Sequence, residues 1–472
     1  MSEAELDLVP PSFVQEGARK MGEKSWIINV NDKVGHLADI TETEMKDWEQ
    51  HSIYRLPACV TDLNKNAYKP RAISFGPYHH GEPNLKPMEI HKERALLHFL
   101  NRSEKSLEDY IGPLREVLQD LKDAYDILDD EWLQNSDAFL ELMIRDGCFM
   151  IEVLRTSFAD TQTGVVDYTH NDPIFSNHGK LYMLPYIKRD MLMIENQLPM
   201  LLLKTLLAVD NQNAQTTDEE SINNLILKFY FPHSRPKILG KCMHVLDAYR
   251  RILLWTDPDG QKPTQGVCKR GPDDILSARE LEESGIRIRK SDSTSLNDIH
   301  FDCDTGILRL PQITVDDVSE TMFLNLVAFE RFHVGAGNEV TDYIFFMDEI
   351  IDNAMDVNIL QRHEIIENAF GSDKAVAKLF NSLTQDVALD ENSRLTAVRQ
   401  AINGYCKTKW HKWRAALIQT YFRSPWALIS VVAAIVLFAL TIAQTAYGAL
   451  QYYEGLDNSP SPPPPPPPPH RS

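Results

Sequence analysis

The chain has 472 residues, of which 43% are hydrophobic and 25% charged, the composition of a folded globular protein. Its formal net charge of −20 argues against a nucleic-acid partner, because an acidic surface repels phosphate backbones. The sequence contains no CxxC pair, so it predicts reduced thiols in a cytosol-facing body rather than a disulfide framework or a zinc site. The six cysteines are Cys59, Cys148, Cys242, Cys268, Cys303 and Cys406.

The N-terminal residues, 1–50, are polar with little periodicity, which predicts a mobile arm. Residues 51–255 follow as the helical N-terminal part of the body. This part opens with a loop rich in proline and aromatic residues, after which a helix is expected from Met88, directly behind Pro87.

Three longer patterns predict helices within this part. An apolar stripe over residues 107–128 predicts an amphipathic helix whose regular part begins at Pro113. The run FLELMIRDGCFMIEVL, with Ser136 as its expected N-cap, is apolar nearly all round and predicts a central core helix. DMLMIENQLPMLLLKTLLAV predicts a second core helix that is broken or restarted at Pro199.

A change of period marks the second half of the body. Residues 256–320 read as a connector and a small β cluster, with alternating strands between 286 and 315. Residues 321–423 return to helical patterning, with Thr341 as a plausible N-cap, and end in a basic juxtamembrane helix. The predicted fold is mainly α: a large helical body with a small β insert and one C-terminal transmembrane helix.

The C-terminal region carries the membrane prediction. Within residues 424–450, the stretch from Trp426 to Tyr447 is uncharged and covers the roughly 30 Å of a bilayer core at about 1.5 Å per residue. A buried core helix is the alternative, but the length and the flanking aromatic residues favour a bilayer as the partner. Basic residues precede the span, which favours a single-pass protein with a cytoplasmic body. The proline-rich tail, residues 451–472, would then be lumenal or extracellular, the plasma membrane being one possible location.

Polar residues inside the apolar runs are the candidate functional residues. Glu195, Asn196, Gln197 and Asp146 must find partners or remain expensively desolvated. A catalytic carboxylate would fit this description, but a hydrogen-bond network that fixes how the two core helices cross is the preferred interpretation.

The remaining motifs give little support for catalysis. His79 and His80 are adjacent in a loop and would point apart, so neither a metal nor a cofactor is expected. No P-loop, GxSxG or HExxH pattern occurs, and the chain is predicted not to be an enzyme.

Several motifs resemble, in order, the plant family known as domain of unknown function 247. The resemblance covers about residues 53–447 and rests on AYKPRAISFGPYHHG, MEIHK, DGCFMIEVL, RDMLMIENQLPM, LNLVAFE and YIFFMDEIID. Its loop motif consists of Gly76, Pro77, Tyr78, His79, His80 and Gly81. The resemblance implies a plant-restricted protein with a C-terminal membrane segment and no established enzymatic activity, some grass members being associated with self-incompatibility.

The combined prediction is a membrane-anchored plant protein that contacts the lipid bilayer and an unknown protein partner in recognition or signalling. The alternative is a membrane-bound enzyme of unrecognised class that uses an internal carboxylate, Glu195 or Asp146.

Overall fold

The computed structural model describes residues 51–157 except 63, 168–210, 219–257, 275–388 except 386, 393–407, 425–457 and scattered positions between 26 and 50. Predictions for the basic juxtamembrane helix, for Cys268 and for residues 458–472 of the proline-rich tail lie outside these residues, whereas residues 451–457 of that tail are helical. Within the predicted N-terminal arm, the described positions are helical and exposed, apart from a turn at His36.

The N-terminal half of the body is a helical assembly around one long helix. Its helices are α1 (Ala58–Thr61), α2 (Glu89–Ser103), α3 (Leu107–Glu116), α4 (Leu118–Asp123), α5 (Asp130–Gln134), α6 (Ser136–Thr156), α7 (Asn177–Tyr182), α8 (Leu184–Asp190), α9 (Met200–Asp210), α10 (Glu219–Tyr230) and α11 (Val245–Leu254). Short 3-10 turns occur at Lys86–Met88 and Ile194–Asn196.

Helix α6 is the centre of this half, as its all-round apolar sequence predicts. Its residues from Asp146 to Leu154 are all buried, and it packs against α2, α3, α5, α9 and α10. Gly147 lets α9 approach closely, because a Cβ there would lie 2.5 Å from Leu206 Cδ1.

Two expected helix starts in the N-terminal half are wrong. A capping box between Ser106 and Asp109 begins α3 at Leu107, so Pro113 lies inside the helix, which ends at Glu116. At the start of α6, the Asn135 side chain accepts the Ala138 amide at 3.1 Å and is therefore the N-cap in place of Ser136.

The second predicted core helix is not continuous. Helix α8 ends at Asp190 and α9 begins at Met200, which confirms the restart after Pro199. Only the short 3-10 turn Ile194–Asn196 lies between them, and the Gln197 side-chain amide donates there to the carbonyls of Met191 and Met193 at 2.7 Å each. Such side-chain bonds offer the backbone an alternative to the helix.

The C-terminal half combines helices with two small sheets. Its helices are α12 (Ala278–Glu283), α13 (Ser319–Phe332), α14 (Glu339–Ile350), α15 (Ala354–Arg362), α16 (Asp373–Leu383), α17 (Arg394–Cys406) and α18 (Pro425–Asp457). Its strands are β1 (Arg287–Lys290), β2 (His300–Asp302), β3 (Ile307–Leu310), β4 (Ile313–Val315) and β5 (Ile366–Asn368).

The sheets confirm the predicted β cluster and add a strand to it. In the first sheet, β3 pairs with β1 in parallel and with β2 antiparallel; in the second, β4 pairs with β5 in parallel. The α14 start at Glu339 shows that Thr341 is not its N-cap. The two halves share one core, since α13 packs against the Ile194–Asn196 turn and α11 against α14.

Helix α18 differs from the helices of the body because its apolar residues are exposed. It is 33 residues long, and its stretch Val432–Leu450 is the one described helix long and apolar enough by itself to cross a membrane, with no part of it buried. Trp426 is its second residue, and the Tyr447 side chain is 70% exposed.

The expectation of fully reduced cysteines is wrong at Cys303, which is disulfide-bonded. Cys59, Cys148, Cys242 and Cys406 form no disulfide, as predicted. Burial raises the pKa of Cys148 and Cys242, which keeps both thiols protonated and inert.

Candidate functional site

The polar residues singled out in the sequence converge on one irregular segment, Ala67–Gly81, which we call the core loop. It runs through the interior without helix or strand, so its backbone polar groups need partners from side chains. We call the core loop and the polar side chains that bind it the buried junction.

Asp190, at the end of α8, holds the first part of the core loop. One carboxylate oxygen accepts the amides of Arg71, Ala72 and Ile73 at 3.0, 2.6 and 3.1 Å. The other oxygen pairs with the Arg189 guanidinium at 3.0 Å. Burial raises the pKa of Asp190, and these amides and the guanidinium oppose that rise by stabilising the charged form.

Asn196 holds the next part through both ends of its side-chain amide. Its oxygen accepts the Phe75 amide at 2.7 Å, and its nitrogen donates to the carbonyls of Ile73 and Asp190 at 3.1 and 2.9 Å. The side chain is completely buried, so these bonds replace the water it loses on folding.

Gln197 connects the junction to neighbouring elements. Besides the two carbonyls that it binds in its own segment, its side-chain oxygen accepts the Leu246 amide of α11 at 3.1 Å. Its backbone carbonyl accepts the Tyr125 hydroxyl at 3.1 Å. The side chains of Asn196 and Gln197 thus bind mainly backbone groups of loops. The sequence analysis expected them to fix the crossing of two core helices instead.

Asp146 of α6 contributes the second carboxylate. It accepts the Gly76 amide at 2.9 Å and forms an ion pair with Lys92 at 2.7 Å, both side chains being fully buried. Lys92 also reaches Glu89 at 2.8 Å and donates to the Ser74 hydroxyl at 3.2 Å. Burial raises the pKa of Asp146, while Lys92 opposes the rise.

At the outer end of the junction, His79 lies between two carboxylates. Its Nδ1 lies 2.7 Å from Glu82 and its Nε2 lies 3.2 Å from Glu195, which also accepts the Leu56 amide at 2.6 Å. Burial lowers the pKa of His79, but the hydrogen bonds to Glu195 and Glu82 outweigh it and the net pKa is raised.

His80 faces elsewhere, since its ring packs edge-on against Trp132 at 5.6 Å. Across the described ranges, no group of three or more His, Cys, Asp and Glu side chains is placed to hold a metal ion. The absence of a bound metal in the protein stays a prediction.

The other loop-motif residues shape the turn. Gly76 has a φ of +72°, and a Cβ there would lie 2.7 Å from the Tyr125 hydroxyl and 3.0 Å from the Gln197 carbonyl. Tyr78 donates to the Ile53 carbonyl at 3.2 Å. Pro77 is buried, and its carbonyl accepts the His80 amide at 3.4 Å.

Sequence reasoning missed Lys92, Asp190 and Asn325 as members of the junction. Asn325 of α13 accepts the Ile194 amide at 2.9 Å and donates to the Ala67 carbonyl at 2.9 Å. Each of the three occurs within a motif that carries the family resemblance, and Asn325 also interrupts an apolar run. Those positions were the available signal.

The family comparison covers this whole arrangement. The family model DUF247, described as a plant protein of unknown function, matches residues 53–440. The chain belongs to the DUF247 family. The match confirms the resemblance seen in the motifs, contains the entire buried junction and extends into α18.

Two curated relatives from Arabidopsis thaliana are similar to this DUF247 chain over nearly its full length. A UPF0481 protein is 31% identical over 437 residues, covering 86% of this chain and 87% of the relative. A second UPF0481 protein is 21% identical over 530 residues, covering 92% and 96%. No solved structure matches the chain.

Proposed function

We propose that this DUF247 member is a membrane-anchored protein whose helical body binds a protein partner in recognition or signalling. The observation that carries the proposal is the unburied apolar surface of α18. Ile435, Leu437 and Phe438 are each more than 60% exposed on that helix. Lipid is the environment that matches a helix of this length with apolar residues on all sides.

The N-terminal segment supports a protein partner. Its exposed apolar side chains recur at helical spacing: Trp26, Val30, Val34, Leu37, Met45 and Trp48. Residues 26–50 contain six acidic and two basic residues, so an anionic membrane surface is a poor match for this stripe. An apolar stripe with acidic neighbours suits a groove on a protein with a basic rim.

The buried junction supports a structural role over catalysis. Asp146 accepts the Gly76 amide of the core loop and pairs with Lys92, while Glu195 accepts the Leu56 amide and contacts His79 of the core loop. These bonds use the carboxylates to hold the loop, so we propose no catalytic role for either residue.

Two features bear on the orientation in the membrane. Between residues 391 and 454 the sequence has no acidic residue, and its basic residues precede the span, which favours a cytoplasmic body and a tail on the far side. The disulfide at Cys303 favours the opposite orientation, because disulfides persist in oxidising compartments. We base the proposal on the charge pattern, since it acts directly on helix insertion, and we propose the plasma membrane as the location.

Deletion of Trp426–Tyr447 tests the anchor. The full chain should remain with membranes after carbonate extraction, whereas the deletion should be recovered in the soluble fraction. Deleting residues 458–472 instead is the matched control and should leave membrane association unchanged. Carbonate-resistant association of the Trp426–Tyr447 deletion would disprove the anchor.

The same membranes test the orientation. A C-terminal epitope should resist protease in sealed microsomes, while the body is digested. An epitope that is digested while the body is protected would show the reverse orientation.

A further inference from the structure

A cavity of about 650 Å³ borders helix α8. Its walls come from α7, α8, α11, the strands β4 and β5, the start of α13, the end of α10 with the loop that follows it, and the loop between β1 and β2. Small-molecule sites typically have volumes of roughly 300–1,000 Å³. The cavity therefore has room for a molecule with an aromatic or alicyclic body.

Three part-buried lysines line this cavity: Lys180, Lys188 and Lys237. Each donates to one backbone carbonyl: Lys188 to Phe229 at 2.8 Å, Lys237 to Ile252 at 3.2 Å, and Lys180 to Thr156.

Within the described part of the chain, none of the three forms an ion pair with a carboxylate. Burial lowers the pKa of each, and no neighbouring acid counteracts it. Lys188 also lies over the Phe229 ring at 4.6 Å and Lys237 over the Trp255 ring at 5.3 Å. An ammonium group has three donors, so each lysine retains N–H groups that no acceptor among the described residues takes.

An aromatic wall stands beside these cations. The Tyr249 ring packs edge-on against the Tyr230 ring, with 4.9 Å between the ring centroids, and its centroid lies 5.4 Å from that of Phe231. The Tyr230 hydroxyl donates to the Lys188 carbonyl at 3.0 Å, whereas the Tyr249 hydroxyl has no hydrogen-bond partner among the described residues. The wall thus offers an apolar surface with one available hydroxyl.

The two carboxylates of the lining are solvent-exposed. Asp316 is engaged at the start of α13, where it accepts the amides of Val318 and Ser319 at 3.0 Å each. Glu367 accepts the Thr314 hydroxyl at 3.0 Å. Water screens exposed carboxylates, so they neutralise the part-buried lysines only weakly.

We propose that this cavity binds a small amphiphilic organic anion, with an apolar ring system against Tyr230 and Tyr249 and a phosphate or carboxylate at Lys188 and Lys237. The cations supply charge-assisted hydrogen bonds, which their partial burial strengthens. The site is separate from the membrane anchor and from the buried junction.

Calorimetry on the full chain in phosphatidylcholine nanodiscs tests the site, with empty nanodiscs as the reference. The probes are 1-naphthyl phosphate, 1-naphthaleneacetate, the neutral 1-naphthaleneethanol and inorganic phosphate. At least one aromatic anion should bind saturably, one per chain, and at least about tenfold more tightly than the neutral alcohol. Inorganic phosphate alone should bind more weakly than the naphthyl phosphate, because it lacks the ring.

Lysine-to-methionine variants locate the binding. Lys188→Met and Lys237→Met should each weaken binding of the aromatic anion about tenfold, because each removes a charged donor. Lys122→Met is the matched control, since Lys122 also donates to a backbone carbonyl, that of Leu133 at 3.0 Å, but lies outside the cavity. It should bind the anion as the wild type does, and circular dichroism establishes that each variant is folded.

Three results would overturn the proposal: no saturable binding of either aromatic anion, equal binding of the neutral alcohol, or unchanged anion binding in both cavity variants. If a cavity variant does not fold, the comparison of the aromatic anions with the neutral alcohol on the wild type still tests the proposal. Rising sodium chloride should weaken binding of the anion and leave binding of the alcohol unchanged. Anion binding that does not depend on salt would count against the site. The anchor experiments do not depend on any of these outcomes.

Discussion

The buried junction and the lysine cavity both hold ammonium groups away from water, but they differ in what faces each group. At the junction, Lys92 lies 2.7 Å from Asp146 and 2.8 Å from Glu89. In the cavity, Lys188 and Lys237 have backbone carbonyls and no carboxylate of the described residues. A cation that is neutralised within the fold stabilises that fold. A cation without such a partner favours an anion that arrives from outside.

The largest effect should come from removing the counter-charge at the junction. Asp146→Asn leaves Lys92 buried with only Glu89 nearby and should lower the free energy of unfolding by about 3 kcal/mol. Asp137→Asn on the same helix is the control, because Asp137 pairs with Arg115 at an exposed site. It should leave the melting temperature nearly unchanged, since exposed ion pairs contribute little.

Thermal and denaturant unfolding of the full chain measure this difference. An Asp146→Asn protein as stable as Asp137→Asn would mean that Lys92 is not held by Asp146 in the folded chain. The distinction between the junction and the cavity would then disappear.

A smaller effect should come from the turn of the core loop. Gly76→Ala imposes a left-handed backbone on a residue with a Cβ, at about 1–2 kcal/mol, and drives that Cβ against Tyr125 and the Gln197 carbonyl. Gly81→Ala has a similar φ of +82° but nothing within 4 Å of the added Cβ. Gly76→Ala should therefore melt clearly below Gly81→Ala. Equal melting temperatures would show that the close approach to Tyr125 is relieved at no cost.

The smallest effect concerns pH at the outer end of the junction. The pKa of His79 is raised above its ordinary value of about 6.5, so the folded state binds the proton more tightly than the unfolded state. Its contribution to stability is complete below about pH 6.5 and is lost as the pH rises through the folded pKa. The melting temperature of His79→Gln should thus approach that of the wild type as the pH is raised.

Removing the carboxylates provides the control for this pH dependence. In a Glu82→Gln/Glu195→Gln background, the His79→Gln substitution should lose its pH-dependent component. If the pH-dependent component persists in that background, another titrating group is responsible for it.

Much of the helical architecture was predictable because it depends on local periodicity. The all-round apolar run of α6, the helix that follows Pro87, the strands between 286 and 315 and the apolar α18 are each readable within a short window of sequence. The family motifs likewise marked the core loop. β5 was missed because a three-residue strand between two helices has no periodic signal of its own.

Other features were decided only by the tertiary structure. The α-helix expected through residues 191–198 does not form. Instead, the side-chain oxygens of Asn196 and Gln197 accept hydrogen bonds from the backbone amides of Phe75 and Leu246, which are distant in the sequence. The sequence by itself determined most of the helical segments, the place of the apolar C-terminal helix and some of the polar residues that had to be buried. Only the tertiary structure placed a carboxylate beside Lys92 and, among the described residues, none beside Lys188 and Lys237. Burial and counter-charge depend on residues far apart in the chain, which no local pattern records.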